Sequence, residues 1–270
     1  MAGTYKYRIE PRDIDATLRA RIYSIGDIVL QAAGDDADML GFGVRDLNSG
    51  VGSDGVNASW VLSRMAVDMS RLPSRHEEIA VYTWISDYGR LMTTRNTVVA
   101  DSSGQQIGAA VTQWAMIDLD TRKALDLSAL AGKSASLVDR EPPIERPRRL
   151  GALSSECALE RSHTVVYSDI DFNGHAGSMK YLEWIIDTLP AGVVAGIGNG
   201  DADGGGTDDG GGVRFDINYL HEARLGEQLT ICVGSDADGD HLFEIRNSEG
   251  AAICRAIISA VGTAASIRHK

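Results

Sequence analysis

The sequence predicts an α+β protein built from two tandem copies of one unit, in which an antiparallel sheet wraps around a single long helix. Three observations carry this prediction: a repeated Asp-Ile-Asp segment, a helical pattern after each copy of it, and several strand patterns after each helix. The repeated segments are Asp13-Ile14-Asp15 and Asp169-Ile170-Asp171. The landmarks that follow keep the same order in both halves of the 270-residue chain, which indicates an internal duplication.

Each copy is expected to contain one long helix. The first, from Tyr23 to Leu40, has apolar residues at helical spacing, namely Ile25, Val29, Ala33, Ala37 and Leu40. Ser24 is a candidate cap for its start, and Gly41 follows its end. The second, from Gly174 to Leu189, has an apolar face made of Met179, Leu182, Ile186 and Leu189, and Pro190 follows it.

Strand patterns follow both helices. In the first half they are Ser59 to Met69, Glu78 to Ile85, Thr93 to Ala100 and Ile107 to Leu119; in the second half they are Val213 to Leu220, Gln228 to Val233, His241 to Ile245 and Ala251 to Val261. The segment Val67-Asp68-Met69 is matched with Phe215-Asp216-Ile217. Asp101 to Gly104 and Asn247 to Gly250 are predicted as equivalent hairpin turns.

A linker separates the copies. The segment from Glu141 to Arg149 contains three prolines among charged residues, which neither a helix nor a strand tolerates. We therefore predict a first unit over residues 1–140, a linker over 141–160 and a second unit over 161–270. Two insertions lie between helix and strand, Phe42 to Asn57 and the glycine- and aspartate-rich Gly198 to Gly212, which we predict to be a surface loop.

Composition excludes several classes of function. A chain with 43% hydrophobic and 24% charged residues is typical of a globular protein, and its net charge of −12 argues against binding nucleic acid or an anionic membrane. Cys157, Cys232 and Cys254 are odd in number and widely spaced, so we expect no disulfide and a reducing compartment. The first residues lack a signal-peptide pattern, and a cytoplasmic location is expected.

The segment from Tyr167 to His175 is the strongest functional signal. Its alternating pattern predicts a strand that delivers Asp171, Asn173 and His175 to the start of the second helix. Unpaired backbone amides at a helix N-terminus attract negative charge, so polar groups placed there can polarise a carbonyl. Each residue alone is more often a helix cap or a structural histidine, and only their combination indicates a catalytic site.

With this motif and the duplication, the chain resembles the acyl-acyl carrier protein thioesterases, tandem hotdog-fold enzymes of plastids and many bacteria. The resemblance extends over nearly the whole chain. Its most specific segments are Tyr167 to His175, Lys180 to Trp184 and Tyr219 to Ala223, and weaker ones are Asn57 to Met65 and Trp114 to Lys123. The resemblance implies a tandem double hotdog whose catalytic residues are Asp171, Asn173, His175 and Glu222.

The chain departs from that family at two places. Ala176-Gly177-Ser178 stands where the family usually has Val-Asn-Asn, and Ala223 stands where plant members have a cysteine. A mechanism that uses a carboxylate and a water molecule is therefore favoured over one with a cysteine. The first copy has Asp15, Thr17 and Arg19 in place of the polar set, and Pro73 or Ser74 near the position of Glu222, so we expect the first half to shape the acyl pocket.

Thioester hydrolysis requires an activated water and a stabilised oxyanion. We expect Glu222 to be the general base, with help from His175, and Asn173 to hold the water or the carbonyl. Asp171 is expected to orient the histidine or the helix start. The backbone amides of Gly174, Ala176 and Gly177 are expected to bind the oxyanion, and no cofactor or metal is expected.

The resemblance implies a fatty acyl thioester on acyl carrier protein as the substrate and a free fatty acid as the product. Arg146, Arg148 and Arg149 in the linker are the candidate docking site for this acidic partner or for the phosphates of a pantetheine arm, unless they form a solvated face. Two other functions stay open: hydrolysis of acyl-coenzyme A at the same site, and acyl binding without catalysis. A homodimer of tandem hotdogs also stays open.

Overall fold

The computed structural model describes residues 2–41, 43, 57–128, 138–153, 157–197, 212–235 and 241–261. The two predicted insertions therefore lie almost wholly outside the described residues. Ten strands form one antiparallel sheet, in the order β1-β3-β4-β5-β2-β7-β10-β9-β8-β6. In the first half the elements are β1 (Gly3–Arg8), α1 (Ile22–Met39), β2 (Ala58–Met69), β3 (Glu78–Tyr88), β4 (Thr93–Asp101) and β5 (Gln106–Asp118).

The second half repeats this arrangement with the same element order. Its elements are β6 (Leu159–Thr164), α2 (Ser178–Thr188), the short α3 (Ala191–Gly196), β7 (Gly212–Tyr219), β8 (Gln228–Ser235), β9 (His241–Arg246) and β10 (Ala252–Val261). The two half-sheets have mirrored strand orders and join where β2 pairs with β7. The predicted double hotdog is therefore the observed fold, and β6 begins inside the segment predicted as linker.

The matching turns of the two halves correct one part of the predicted alignment. The Ser74 amide donates to the Glu77 carboxylate as the Arg224 amide donates to that of Glu227, so these turns correspond. Counted from them, Asp68 corresponds to Asn218, and the predicted match with Asp216 was wrong by two residues. Ala66 pairs with its own counterpart, Asp216, so the pseudo-twofold axis passes through this pair.

The long helices α1 and α2 pack into one hydrophobic core that extends across the two halves. Gly41, with a positive φ of 74°, ends α1 as predicted, because glycine adopts this left-handed conformation without strain. Ser24 does not cap the helix: the capping position is Arg21, and Ser24 is buried in the first turn. All four residues of the predicted apolar face of the second helix, Met179, Leu182, Ile186 and Leu189, are buried.

The linker lies against the outer face of the sheet, opposite the helices. Phe215 and Ile217 of β7 point into the core, so the intervening Asp216 points outward, since side chains of a strand alternate. Its carboxylate accepts hydrogen bonds from the backbone and side chain of Arg148, at 2.8 and 3.0 Å. Arg146 pairs with Asp87 at 2.7 Å. Two of the three linker arginines proposed for docking are therefore engaged by acidic side chains of this chain.

The expectation of no disulfide was wrong. Cys157, just before β6, is bonded to Cys232 of β8, with 5.2 Å between their Cα atoms, whereas Cys254 is buried and free. Wide spacing in sequence hid the pair because β6 and β8 become neighbours only in the folded sheet. The reducing compartment stays a prediction that the cysteines no longer support. Within the described residues, no helix is both long and apolar enough to cross a membrane.

Candidate active site

The motif residues lie in a closed turn rather than in the predicted strand. After β6 the chain forms a 3-10 turn over Tyr167–Asp169, and a single bridge then joins Ile170 to Ala176. The Asp171 amide donates to the His175 carbonyl at 2.8 Å, and Gly174 adopts a positive φ of 79°. The left-handed glycine lets the chain reverse within a few residues, which an extended strand cannot do.

Asp171 organises this turn and does not orient the histidine. One carboxylate oxygen accepts a hydrogen bond from the Asn173 amide at 2.8 Å, and the other accepts one from the Asn173 side chain at 3.4 Å. Asp171 is half-buried and Asn173 is exposed. Of the two expected roles, to orient the histidine or the helix start, the first is not seen among the described residues: Asp171 contacts Asn173 in the turn before α2 and holds its side-chain amide at the rim of the site.

Glu222 is the partner of His175. It follows β7, and its Oε2 lies 3.1 Å from His175 Nε2. A carboxylate can only accept hydrogen bonds, so the ring nitrogen that faces it carries a hydrogen. The two side chains are 22% and 28% exposed, which leaves them reachable from solvent. The structure therefore brings together two of the four predicted residues in direct contact and places the other two in the adjoining turn.

Arg122 also contacts Glu222, and the sequence had not singled it out. Its Nη2 lies 2.6 Å from Glu222 Oε2, although the two residues belong to different halves. Arg122 lies in the segment Trp114 to Lys123, one of the weaker matches to the thioesterase family. That match was the only signal for it, and no pattern in the sequence indicated that it reaches the second half.

The three amides expected to bind the oxyanion are already used by the fold. Those of Gly174, Ala176 and Gly177 donate to the carbonyls of Asp171, Ala223 and Asp169, at 3.1, 2.9 and 2.8 Å. The first copy makes the same three bonds from Leu18, Ala20 and Arg21 to Asp15, Pro73 and Asp13. Because the copy without the polar set has them too, these bonds hold the turn, and the predicted role of the amides was wrong.

Two other kinds of donor remain at the site. The first two amides of α2, those of Ser178 and Met179, have no acceptor within the helix, whereas that of Lys180 donates to the Gly177 carbonyl at 2.9 Å. The side-chain amide of Asn173 is the second. Two tyrosines hold this helix start: the Tyr219 hydroxyl donates to the Ser178 carbonyl, and the Tyr181 hydroxyl accepts from the Ala223 amide, both at 2.8 Å. Tyr181 thereby ties α2 to the turn that holds Glu222.

The first copy has the scaffold of the site without its chemistry. Thr17 bonds to Asp15 as Asn173 bonds to Asp171, with the same amide distance of 2.8 Å. The counterpart of Glu222 is Leu72, two residues before the turn residue Ser74 and directly before Pro73, so it is adjacent to the expected positions. Arg19, the counterpart of His175, reaches only the Leu72 carbonyl, at 3.5 Å. This half therefore lacks the pair of an imidazole and a carboxylate.

A cavity of about 1160 Å³ connects the two halves. His175, Glu222 and Asn173 line one part of it, and side chains of α1, β2 and β5 line the rest, among them Leu30, Trp60, Leu62, Trp114 and Ile117. Its volume exceeds that of an ordinary small-molecule pocket, and its lining combines these apolar side chains, which can contact a hydrocarbon chain, with charged ones such as Asp35, Asp38 and Arg95. The first half thus supplies most of the lining residues, and its role in shaping an acyl pocket stays a prediction.

Asp27 of α1 faces this cavity and is exposed to it. Loss of surrounding water raises its pKa to about 6, and the nearby charge of Glu183 adds to the rise while Lys180 opposes it.

Among the described residues, one group of side chains lies close enough together for a metal site, Cys157, Glu160 and Cys232. The two cysteines form the disulfide, so their sulfur atoms are not thiolate ligands.

Comparison with known proteins identifies the family. The profile of the acyl-ACP thioesterase N-terminal domain matches residues 3–129, and that of the C-terminal domain matches residues 154–197. A crystal structure of an acyl-ACP thioesterase from Bacteroides thetaiotaomicron is 30% identical, with a TM-score of 0.80 over 96% of this chain and 97% of that one. The chain belongs to the acyl-ACP thioesterase family.

Plant relatives within the acyl-ACP thioesterase family are more distant. A chloroplastic acyl-[acyl-carrier-protein] hydrolase of Cuphea viscosissima is 28% identical over 50% of this chain, and a chloroplastic oleoyl-acyl carrier protein thioesterase of Coriandrum sativum is 21% identical over 70%. The chain spans 34% and 54% of the lengths of these two relatives. The C-terminal profile covers the turn with Asp171, Asn173 and His175 and ends before Glu222.

Proposed function

We propose that this protein hydrolyses the thioester of a fatty acyl-acyl carrier protein to give a free fatty acid and the carrier thiol. The observation that carries the proposal is the His175–Glu222 pair in the wall of a large cavity that both halves line. A base beside an apolar cavity is the arrangement that hydrolysis of an acyl thioester requires. Membership in the acyl-ACP thioesterase family supports the same reaction.

In the proposed reaction, Glu222 accepts a proton from a water molecule as the water oxygen attacks the thioester carbonyl. The new carbon–oxygen bond leaves a tetrahedral oxyanion, which the Asn173 amide or the leading amides of α2 stabilise. The oxyanion collapses, the carbon–sulfur bond breaks, and the proton held by Glu222 passes to the departing thiolate. His175 keeps Glu222 in place through its Nε2 hydrogen.

Acyl carrier protein is the proposed carrier because relatives in this family are named for it. The protein's net charge of −12 is unfavourable for an acidic partner unless docking uses a local basic surface. Arg146 and Arg148 are poor candidates for that surface because each pairs with an acid of this chain. The cytoplasmic location stays a prediction from the sequence.

The test is a comparison of purified protein on acyl-acyl carrier protein and acyl-coenzyme A substrates of graded chain length, with free fatty acid as the readout. We expect release from the carrier protein, and a loss of about 100-fold or more in kcat for Glu222→Gln and for His175→Ala. Arg19→Ala, at the equivalent position of the first copy, is the matched control and should keep wild-type activity.

Each result decides a separate point. A wild-type protein that hydrolyses neither class of thioester would show that it is not a thioesterase. Faster hydrolysis of the coenzyme A series would keep the reaction and reject the carrier. Full activity in Glu222→Gln or His175→Ala would show that other residues carry out the reaction.

A further inference from the structure

One carboxylate oxygen of Glu222 collects three nitrogen contacts from both halves of the protein. Oε2 lies 2.6 Å from Arg122 Nη2, 3.1 Å from His175 Nε2 and 3.9 Å from Arg224 Nη2. In each of these three pairs, the carboxylate oxygen nearest the nitrogen is Oε2, and Glu222 lines the cavity. Cationic side chains of both halves therefore approach the same oxygen of this carboxylate.

The turn that presents Arg122 is fixed by its own hydrogen bonds. The Arg122 amide donates to the Asp118 carbonyl at 2.7 Å, and the Asp118 amide donates to the Lys123 carbonyl at 2.9 Å. The Asp118 carboxylate accepts from the amides of Asp120 and Thr121, at 2.8 and 3.1 Å. These bonds hold the pKa of Asp118 below its usual value, those from Thr121 most strongly, so the turn keeps its charged acceptor at neutral pH.

The backbone of Arg122 itself is unusual. Its φ is +58°, in the left-handed region that non-glycine residues rarely adopt. Such conformations persist where the surrounding structure compels them, and they cluster at functional sites. Here the left-handed residue directs its side chain out of the first half and onto Glu222 of the second.

We propose that Arg122 is a positioning residue for Glu222, supplied to the active site by the half that has no catalytic residues. Its guanidinium holds Oε2 and thereby fixes the orientation of the carboxylate relative to the water and the acyl carbonyl. This role rests on the proposed function, in which Glu222 is the base. It also explains why the two halves act as one unit: the catalytic half alone lacks this cation.

The experiment compares Arg122→Gln, Arg122→Lys and the control Lys123→Gln in the full chain. Lys123→Gln removes the same charge from the next residue of the same turn. We expect Arg122→Gln to lower kcat by about 10-fold to 100-fold, because a misplaced base loses its reaction geometry, with KM changed far less. Arg122→Lys should restore part of kcat, and Lys123→Gln should match the wild type.

A double-mutant cycle shows whether Arg122 acts through Glu222. Arg122→Gln should cause no further loss in a Glu222→Gln background. The proposal would be overturned if the losses of kcat in the two single variants multiply in the double variant. It would also be overturned if kcat in Arg122→Gln is unchanged or higher than in the wild type. The last result would mean that the ion pair restrains the base.

A second measurement reads the contact without turnover. Among the described residues, the side chains that form ion-pair contacts with Glu222 are Arg122, His175 and Arg224, so loss of the Arg122 guanidinium should shift the carboxylate relative to the His175 ring. The NMR chemical shifts of that ring, recorded at one fixed pH, should change in Arg122→Gln and stay in place in Lys123→Gln. Unchanged shifts in Arg122→Gln contradict the positioning role, whereas a wild type without activity rejects only the proposed reaction.

Discussion

Asn173 and Thr17 occupy equivalent positions in the two copies. Comparing them distinguishes the structural role of this residue in the turn from its proposed role in the reaction. Thr17 donates to the Asp15 carboxylate from its amide at 2.8 Å and from its hydroxyl at 2.6 Å. Asn173 donates to Asp171 from its amide at the same distance, and its side-chain amide adds a longer bond. A threonine therefore satisfies this turn, while only the asparagine carries an amide group to the site.

The first prediction exchanges these residues. The free energy of unfolding of Asn173→Thr, measured with denaturant, should lie within about 0.5 kcal/mol of the wild-type value, because threonine can make both hydrogen bonds of the turn. Its kcat should fall by about 100-fold, as expected when one donor to a developing oxyanion is lost. The reverse exchange, Thr17→Asn, should leave turnover unchanged. If Asn173→Thr keeps full activity, the side-chain amide serves the fold only.

At the scale of secondary-structure elements, Gly26 sets how closely α1 approaches α2. A Cβ atom at Gly26 would overlap with the sulfur of Met179 and would lie 3.2 Å from its Cγ. Met179 is 3% exposed and is the second residue of α2, directly after the turn that contains Asp171, Asn173 and His175. The contact between the helices therefore helps to place the start of α2, on which the site is built.

The effect of Gly26→Ala on the free energy of unfolding should change sign when Met179 is shortened. Gly26→Ala should destabilise the wild type by about 1–2 kcal/mol, because overpacking against a buried methionine outweighs the gain in helix propensity. In a Met179→Ala background the same change should stabilise by up to about 1 kcal/mol. Gly34→Ala is the control: it lies on the same helix with nothing within 4 Å, so it should stabilise in both backgrounds. Denaturant unfolding measures all of these, and equal effects of Gly26→Ala in both backgrounds would contradict the packing argument.

The strands show which features a sequence pattern can predict. The hairpin turns at Asp101 and Asn247 were predicted from their residue types. In each turn, the side-chain Oδ1 of this first residue accepts hydrogen bonds from the backbone amides two and four residues ahead. The alignment of β2 with β7 was wrong by two residues. Side chains of a strand repeat every two residues, so a shift of two leaves every apolar residue on the same face. Only the hydrogen bonds of the neighbouring turns fix the register.

At the scale of the whole molecule, the features that the sequence did not reveal are contacts between distant segments. The turn residues Asp171, Asn173 and His175 are close in sequence, and their grouping was predictable. The Arg122–Glu222 pair and the Cys157–Cys232 bond depend on which strands become neighbours. A pattern of local spacing contains no information on that pairing, which the fold of both halves determines.

The linker provides the last prediction, which concerns acid stability. Asp216 is fully buried beside the pseudo-twofold axis, and Arg148 of the linker and Arg214 of β7 both donate to it. Burial raises its pKa, but the hydrogen bonds and charges of the two arginines and the Arg148 amide outweigh burial, so the pKa lies below its usual value. A carboxyl group with a lowered pKa stabilises the fold above its ordinary pKa of about 4, and this contribution is lost as the pH falls through the lowered value.

Asp216→Asn should therefore lower the free energy of unfolding by about 2–3 kcal/mol near neutral pH, less than for a fully buried pair because Arg148 is 40% exposed. The difference from the wild type should shrink steadily below about pH 4, as the wild-type carboxyl group takes up its proton. Denaturant unfolding at several pH values measures this, with Glu249→Gln on the exposed β9–β10 turn as the control. A difference that stays constant down to the lowest pH would show that Asp216 holds the linker by shape and not by charge.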